Sequence, residues 1–182
     1  MTNKHLIIFE TERLIVRQYD FDTDAENFYL LNSDEEVMRY IRATKSREEC
    51  DAFLKKNIEA YKVNPLMGRW AANEKATGKF VGSFAFIPVE GTNDNQLGYA
   101  FLKENWGKGY ATELMKEGIN HVFNKTDLNE VYGITESGNT ASQKVLLKVG
   151  FTLDKTYYED KRELLSFILR RNMDQYLATT PV

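Results

Sequence analysis

Apolar positions recur along this chain with two periods, and each switch between periods marks an element. Arg13-Leu-Ile-Val-Arg17 alternates as a strand, and Asp22 to Leu31 follows as a helix with acids in its first turn. Asp34 to Ile41 continues as a short helix. Ser46-Arg-Glu-Glu49 has capping-box spacing and opens a longer one, with Phe53, Leu54, Ile58 and Tyr61 as its apolar stripe and Pro65 beyond its end. From Arg69 the pattern turns extended. Arg69 to Asn73 and Lys79 to Ile87 form a hairpin turned at Ala76-Thr-Gly78, and Pro88 closes the second strand. After the polar stretch Glu90 to Asn95, a strand runs from Gln96 to Leu102. A glycine turn then starts an amphipathic helix that extends to Asn124. Glu130 to Thr135 is a buried strand, Asn139 caps a helix from Thr140 to Val149, and Gly150 ends it. Phe151 to Tyr158 and Leu164 to Arg170 close as a pair of strands. Meandering strands followed by two strand–helix–strand crossings predict an α/β (α+β) fold with a mixed sheet, antiparallel early and parallel at its centre.

Composition narrows the function classes. A length of 182 residues fits one domain, and no repeat or linker divides it. The net charge of -3 argues against a broad basic surface for nucleic acid. No apolar run approaches the ~20 residues that span a bilayer. The apolar stretch before Glu10 is too short for a signal peptide. The single cysteine, Cys50, excludes an internal disulfide and suits a cytoplasmic location; its helical setting makes it a core residue. With only His5 and His121, a histidine metal site or triad is not expected, and no metal is assigned.

The candidate chemistry lies in Trp106-Gly-Lys-Gly-Tyr-Ala-Thr112. A helix that starts on glycine and alanine presents unpartnered backbone amides to a ligand, and its dipole favours an anion there. This describes a phosphate or pyrophosphate site, with Lys108 as a charge at its rim. It is not a dinucleotide fingerprint, because Thr112 stands where the third glycine belongs. Gly133-Ile-Thr-Glu-Ser-Gly138-Asn-Thr140 follows a strand and precedes a helix like a P-loop, but Asn139 replaces the phosphate-binding lysine.

These residues resemble the GNAT superfamily of N-acetyltransferases and, more narrowly, its branch of ribosomal-protein N-terminal acetyltransferases (RimJ/RimL-like). Thr11 to Arg17, Asp24-Ala25 and Glu36 to Tyr40 resemble the branch's opening pattern. Trp106 to Thr112 resembles its coenzyme A pyrophosphate loop, and Asn139-Thr-Ala-Ser142 with Lys148 to Phe151 its closing motif. The resemblance implies an acyl-CoA N-acyltransferase fold, its mixed sheet splayed between two parallel strands, with acetyl-CoA as cofactor. Trp106 takes a place where many members carry Arg or Gln. Leu146 takes the place of the tyrosine that protonates the departing thiol, with Ser142 as the branch's substitute.

The chemistry sets three demands: a neutral amine, a stabilised carbonyl oxygen and a stabilised or protonated thiolate. Glu136 is the candidate base, ahead of Glu104 and Glu90. The resemblance places the acetyl group against a strand amide near Ala100 and Phe101. Cofactor contacts are expected from Ala100, Phe101, Leu102, Trp106, Gly107, Lys108, Gly109, Tyr110, Ala111, Thr112, Asn139 and Ser142, with the Ser142 hydroxyl donating to the sulfur. The acceptor is expected between Glu36–Arg42 and Tyr157–Arg162, contacted by Arg39, Tyr40, Tyr157 and Tyr158 and also Arg42. Trp70 reads as core. The expected activity is acetyl transfer to a primary amine, of a peptide N-terminus or alternatively a small amine such as a polyamine, amino sugar or amino acid. A non-catalytic acyl-CoA-binding module is the reading from another class. Homodimers are common in such folds, which is analogy alone.

Overall fold

The computed structural model describes residues 6–171, so His5 and the extreme N-terminus lie outside the described residues. Its order is β1 (Ile7–Glu10), β2 (Leu14–Arg17), α1 (Phe21–Ser33), α2 (Glu35–Met38), α3 (Arg47–Val63), β3 (Gly68–Glu74), β4 (Phe80–Pro88), β5 (Asn95–Phe101), α4 (Tyr110–Lys125), β6 (Glu130–Glu136), α5 (Thr140–Lys148), β7 (Thr152–Glu159) and β8 (Arg162–Arg170). Strand β1, which the hydrophobic pattern did not predict, adds to β2 as an antiparallel edge.

Local chemistry sets the helix starts. Asp20 accepts from the Asp22 and Thr23 amides at 3.0 and 3.2 Å and opens α1. At α3 both halves of the predicted capping box form: the Ser46 amide donates to Glu49 at 2.7 Å and the Glu49 amide to the Ser46 hydroxyl at 3.3 Å. Two helical layers cover the sheet. On one face, Phe28, Leu31, Cys50, Leu54 and Ala71 form a core with α1 and α3. On the other, Trp70, Phe84, Leu114, Met115 and Val122 pack α4 against the strands. A Cβ on Gly118 would meet the Phe84 ring at 2.4 Å, so glycine lets α4 lie flat on that ring. Trp70 and Cys50 are fully buried, as the sequence predicts. Among the described residues, no helix is long and apolar enough to cross a membrane.

The strand order is β1-β2-β3-β4-β5-β6-β8-β7. The mixed sheet matches the expectation, but its parallel content is smaller than two crossings imply. Strands β5 and β6 are parallel neighbours that meet at one register pair, Gln96 with Tyr132. The second crossing lands on β7, separated from β6 by the antiparallel β8. The reason is that β8 pairs on both sides, seven residues deep with β6 and along all of β7, which buries its apolar Leu164 to Ile168 segment. Beyond Gln96 the two central strands diverge, and that gap positions the site.

Candidate active site

The glycine turn has the predicted form. Gly107 and Gly109 sit at φ 73° and 83°, and Gly109 caps α4 without any side-chain hydrogen bond. The first bond of the helix runs from the Glu113 amide to the Gly109 carbonyl, which leaves the amides of Tyr110, Ala111 and Thr112 without intrahelical partners. A Cβ at Gly107 would meet nothing within 4 Å. Its glycine therefore serves the left-handed backbone rather than close approach. The donor set, three main-chain amides at a positive helix end, fits the diphosphate of a coenzyme A.

Side chains from outside the motif brace this loop. Arg13 donates to the Lys108 carbonyl at 3.0 Å and to the Glu113 carboxylate at 2.7 Å, and its guanidinium lies 4.6 Å over the Tyr110 ring. The Thr11 hydroxyl and Arg13 amide reach the same carboxylate at 2.5 and 2.8 Å. Burial opposes the Glu113 charge, but these donors outweigh it and hold the carboxyl below its ordinary range. The Trp106 indole donates to the Phe101 carbonyl at 2.7 Å, tying the loop to the end of β5. Tryptophan in the first motif position therefore acts here as a mechanical pin.

A cleft of about 1130 Å³ opens at the splay and draws its lining from both faces of the sheet. It includes Ala100, Phe101, Trp106, Gly107, Gly109, Tyr110, Ala111, Thr112, Asn139 and Ser142. Lys108 and Leu102 are not in the lining: the Lys108 ammonium donates to Asn105 at 3.0 Å, and Leu102 packs with the α1–α3 core. The Leu102 amide donates to Val81 on β4, so strand alternation turns the amides of Tyr99 and Phe101 toward the gap.

On the α4–α5 face, Asn139 accepts the Ser142 amide at 3.1 Å as the predicted cap. Ser142 and the Tyr99 phenol are neighbours in the cleft lining, a juxtaposition that sequence reasoning missed. Burial raises the Tyr99 phenol above its ordinary pKa, and the serine opposes that rise. The signal was there in part, since alternation puts Leu97, Tyr99 and Phe101 on one side. Leu146 is buried, and a Cβ on Gly133 would meet it at 2.5 Å. This position is thus packed as core, not presented as an acid.

The acceptor-side residues divide. Tyr40 and Tyr157 line the cleft, and the Tyr40 ring lies 3.2 Å from where a Gly138 Cβ would stand. Arg39 lies in a smaller adjoining depression and stacks on Tyr40 at 5.2 Å. Tyr158 is 72% exposed and donates to Glu163. Glu136 lines the cleft, but its carboxylate is ion-paired with Arg162. Glu90 also lines it and Glu104 does not. Arg42 lines it together with Arg69, which the sequence did not single out. The floor between them is made of Ser83, Ala85, Gly98 and Ala100, small residues in register on β4 and β5.

A sequence profile described as the acetyltransferase (GNAT) domain matches residues 13–152. The chain is 29% identical over 147 residues to the uncharacterized N-acetyltransferase YoaA of Bacillus subtilis, covering 79% of this chain and 82% of that one. Among solved structures it resembles the ribosomal α-N-protein acetyltransferase RimL in complex with coenzyme A, at a TM-score of 0.74 and 16% identity over 90% of this chain and 97% of that one. It also resembles spermidine N-acetyltransferase from Vibrio cholerae in complex with coenzyme A and spermine, at a TM-score of 0.74 and 16% identity over 90% and 98% of the two chains. At that identity the likeness of the two structures shows the fold alone.

Proposed function

The chain belongs to the GNAT acetyltransferase family, and from that premise we propose how its cleft divides the work and what it acetylates. The family makes it an N-acetyltransferase that uses acetyl-CoA. In our reading the cofactor diphosphate rests on the Tyr110 to Thr112 amides, braced through Arg13 and Glu113. The acetyl group lies in the β5/β6 gap, where the Phe101 or Tyr99 amide donates to its carbonyl oxygen as charge develops. Acetyl-CoA supplies a thioester: the amine lone pair forms the new C–N bond, the C–S bond breaks, and the sulfur leaves as thiolate while the amine gives up one proton.

Ser142 stands at the start of α5, where its hydroxyl can donate to that sulfur. Serine is too weak an acid for full transfer, so stabilisation of the thiolate is its role. For proton removal Glu136 is a poorer candidate than the sequence suggests, because Arg162 already holds its carboxylate. Release of the amine proton through water at the open cleft mouth fits the geometry better.

The acceptor in this reading is the N-terminal amine of a peptide or protein. The observation that carries it is the acceptor end of the cleft, which is walled by three separate segments, the turn after α2, β7 and the start of β8, through Tyr40, Tyr157 and Arg162. Similarity to RimL supports it, and similarity to spermidine N-acetyltransferase supports a small amine instead. Arg42 and Arg69, which form no ion pair among the described residues, disfavour a polycation in the cleft. Thiol release from acetyl-CoA across peptides, amino acids and polyamines tests the reading. Preferential turnover of peptides supports it, and turnover confined to polyamines overturns it. Coenzyme binding without any turnover would favour a non-catalytic module.

A further inference from the structure

Arg42 and Arg69 differ from Arg17, another half-buried guanidinium of this protein. Arg17 is bidentate to Asp24 at 2.7 and 2.8 Å, so its charge is compensated. Arg42 and Arg69 each place the guanidinium carbon 5.0 Å from the Phe53 ring centroid, and the Lys45 ammonium lies 5.7 Å from the same ring. Among the described residues, no carboxylate forms an ion pair with any of the three. Arg42 donates to Asn32 at 2.7 Å, while its Nε is buried without a partner. Burial, with the Arg69 charge adding to it, brings Arg42 down to about 10, and burial lowers Arg69 as well. A guanidinium keeps its charge at neutral pH. Half-buried charge without a counterion is costly, and where a fold gathers it in a cleft the expected compensation is a ligand of opposite sign.

The arginines face the acceptor half of the cleft. In register, Arg69 pairs with Ala85 and Ala85 with Gly98, so Arg69 stands two strand spacings, about 10 Å, from the β5 backbone. The side chains between them are alanine or smaller, which leaves the space for a ligand. Arginine matches a carboxylate in geometry, two parallel N–H donors to two oxygens.

We infer that the acceptor carries a carboxylate a few bonds from its reacting amine, and that Arg42 and Arg69 receive it over the small-residue floor. This rests on the acetyl-transfer reading above and narrows it. The carboxylate comes either from a free amino acid or from an acidic side chain near a peptide N-terminus.

The test compares matched acceptors with the wild-type enzyme and acetyl-CoA: L-amino acids against their amides, and peptides with Asp or Glu at the second and third positions against Asn or Gln. The carboxylate member of at least one pair should have a kcat/KM at least tenfold higher. The pair that shows the difference identifies the source. In Arg42→Gln and Arg69→Gln that advantage should fall below about threefold, through KM more than kcat, with coenzyme A affinity by calorimetry unchanged. Arg69→Gln should unfold at no lower temperature than wild type, whereas a structural arginine would lose stability. Calorimetry of the coenzyme A complex with N-acetylated carboxylates and amides reads the same preference without turnover. Equal rates within every pair would overturn this inference and leave acetyl transfer standing. Absence of all turnover would overturn the transfer reading, and the calorimetric preference would then decide the inference alone.

Discussion

The two halves of the cleft are built in opposite ways from the same strands. The cofactor half is main chain: one continuous segment, Trp106 to Thr112, whose amides are set by two left-handed glycines and the start of α4. The acceptor half is side chain: Tyr40 and Arg42 after α2, Arg69 on β3, and Tyr157 and Arg162 at the β7–β8 end, brought together over a floor of small residues. A main-chain cradle recognises a group that every family member shares, and it tolerates side-chain change except where backbone conformation forbids it. A side-chain pocket can diverge one residue at a time. The cofactor half therefore reports the reaction, and the acceptor half reports the substrate.

This contrast can be broken by substitution on either side. The largest effect is expected at Gly109, where φ of 83° excludes a branched side chain. Gly109→Val should weaken coenzyme A by about a hundredfold in calorimetry, consistent with strain of 1–3 kcal/mol, while the preference among acceptors stays as in wild type. Ser142→Ala should lower kcat by about tenfold to a hundredfold with little change in KM for acetyl-CoA, at or just below the usual range for proton-handling groups. Tyr99→Phe should show a smaller loss in the same steady-state assay, because the phenol is a neighbour of the serine in the cleft lining.

The brace between the N-terminal strands and the cradle predicts an effect on stability. Glu113→Gln should cost about 1–2 kcal/mol in denaturant unfolding, the scale of a charge-assisted hydrogen bond left unmade. The folded state holds this carboxyl below its ordinary value of 4.5, so its contribution is present above that pH and is lost as pH falls through the folded value. Wild-type stability should therefore drop more steeply than that of the glutamine variant below pH 4.5. The smallest effect is expected at Tyr158, which is exposed and bonded to Glu163 outside the cleft. Tyr158→Phe should leave kcat/KM within about twofold for every acceptor, in keeping with a surface substitution.

The same contrast explains what the sequence made legible. The glycine turn, the Ser46 capping box and the Asn139 cap are local, with their partners within three residues, and each was readable before any fold was known. The insertion of β8 between β6 and β7 was not readable, because pairing order is a choice among distant segments that each strand's own pattern leaves open. Glu136 was found as a carboxylate at the cleft, but its commitment to Arg162, 26 residues away, was hidden. Arg13 and Glu113 are 100 residues apart. Arg42 was readable as an acceptor-side residue and Arg69 was not, and their shared approach to the Phe53 ring of α3, with no ion-paired acid among the described residues, was hidden.

The claim on which the rest stands is the seat of the cofactor, and a crystal structure of the coenzyme A complex tests it most directly. Diphosphate oxygens are expected within about 2.7–3.2 Å of the amide nitrogens of Tyr110, Ala111 or Thr112, with the thiol end in the β5/β6 gap beside Ser142. A diphosphate bound away from the start of α4, or a thiol end outside that gap, would contradict it.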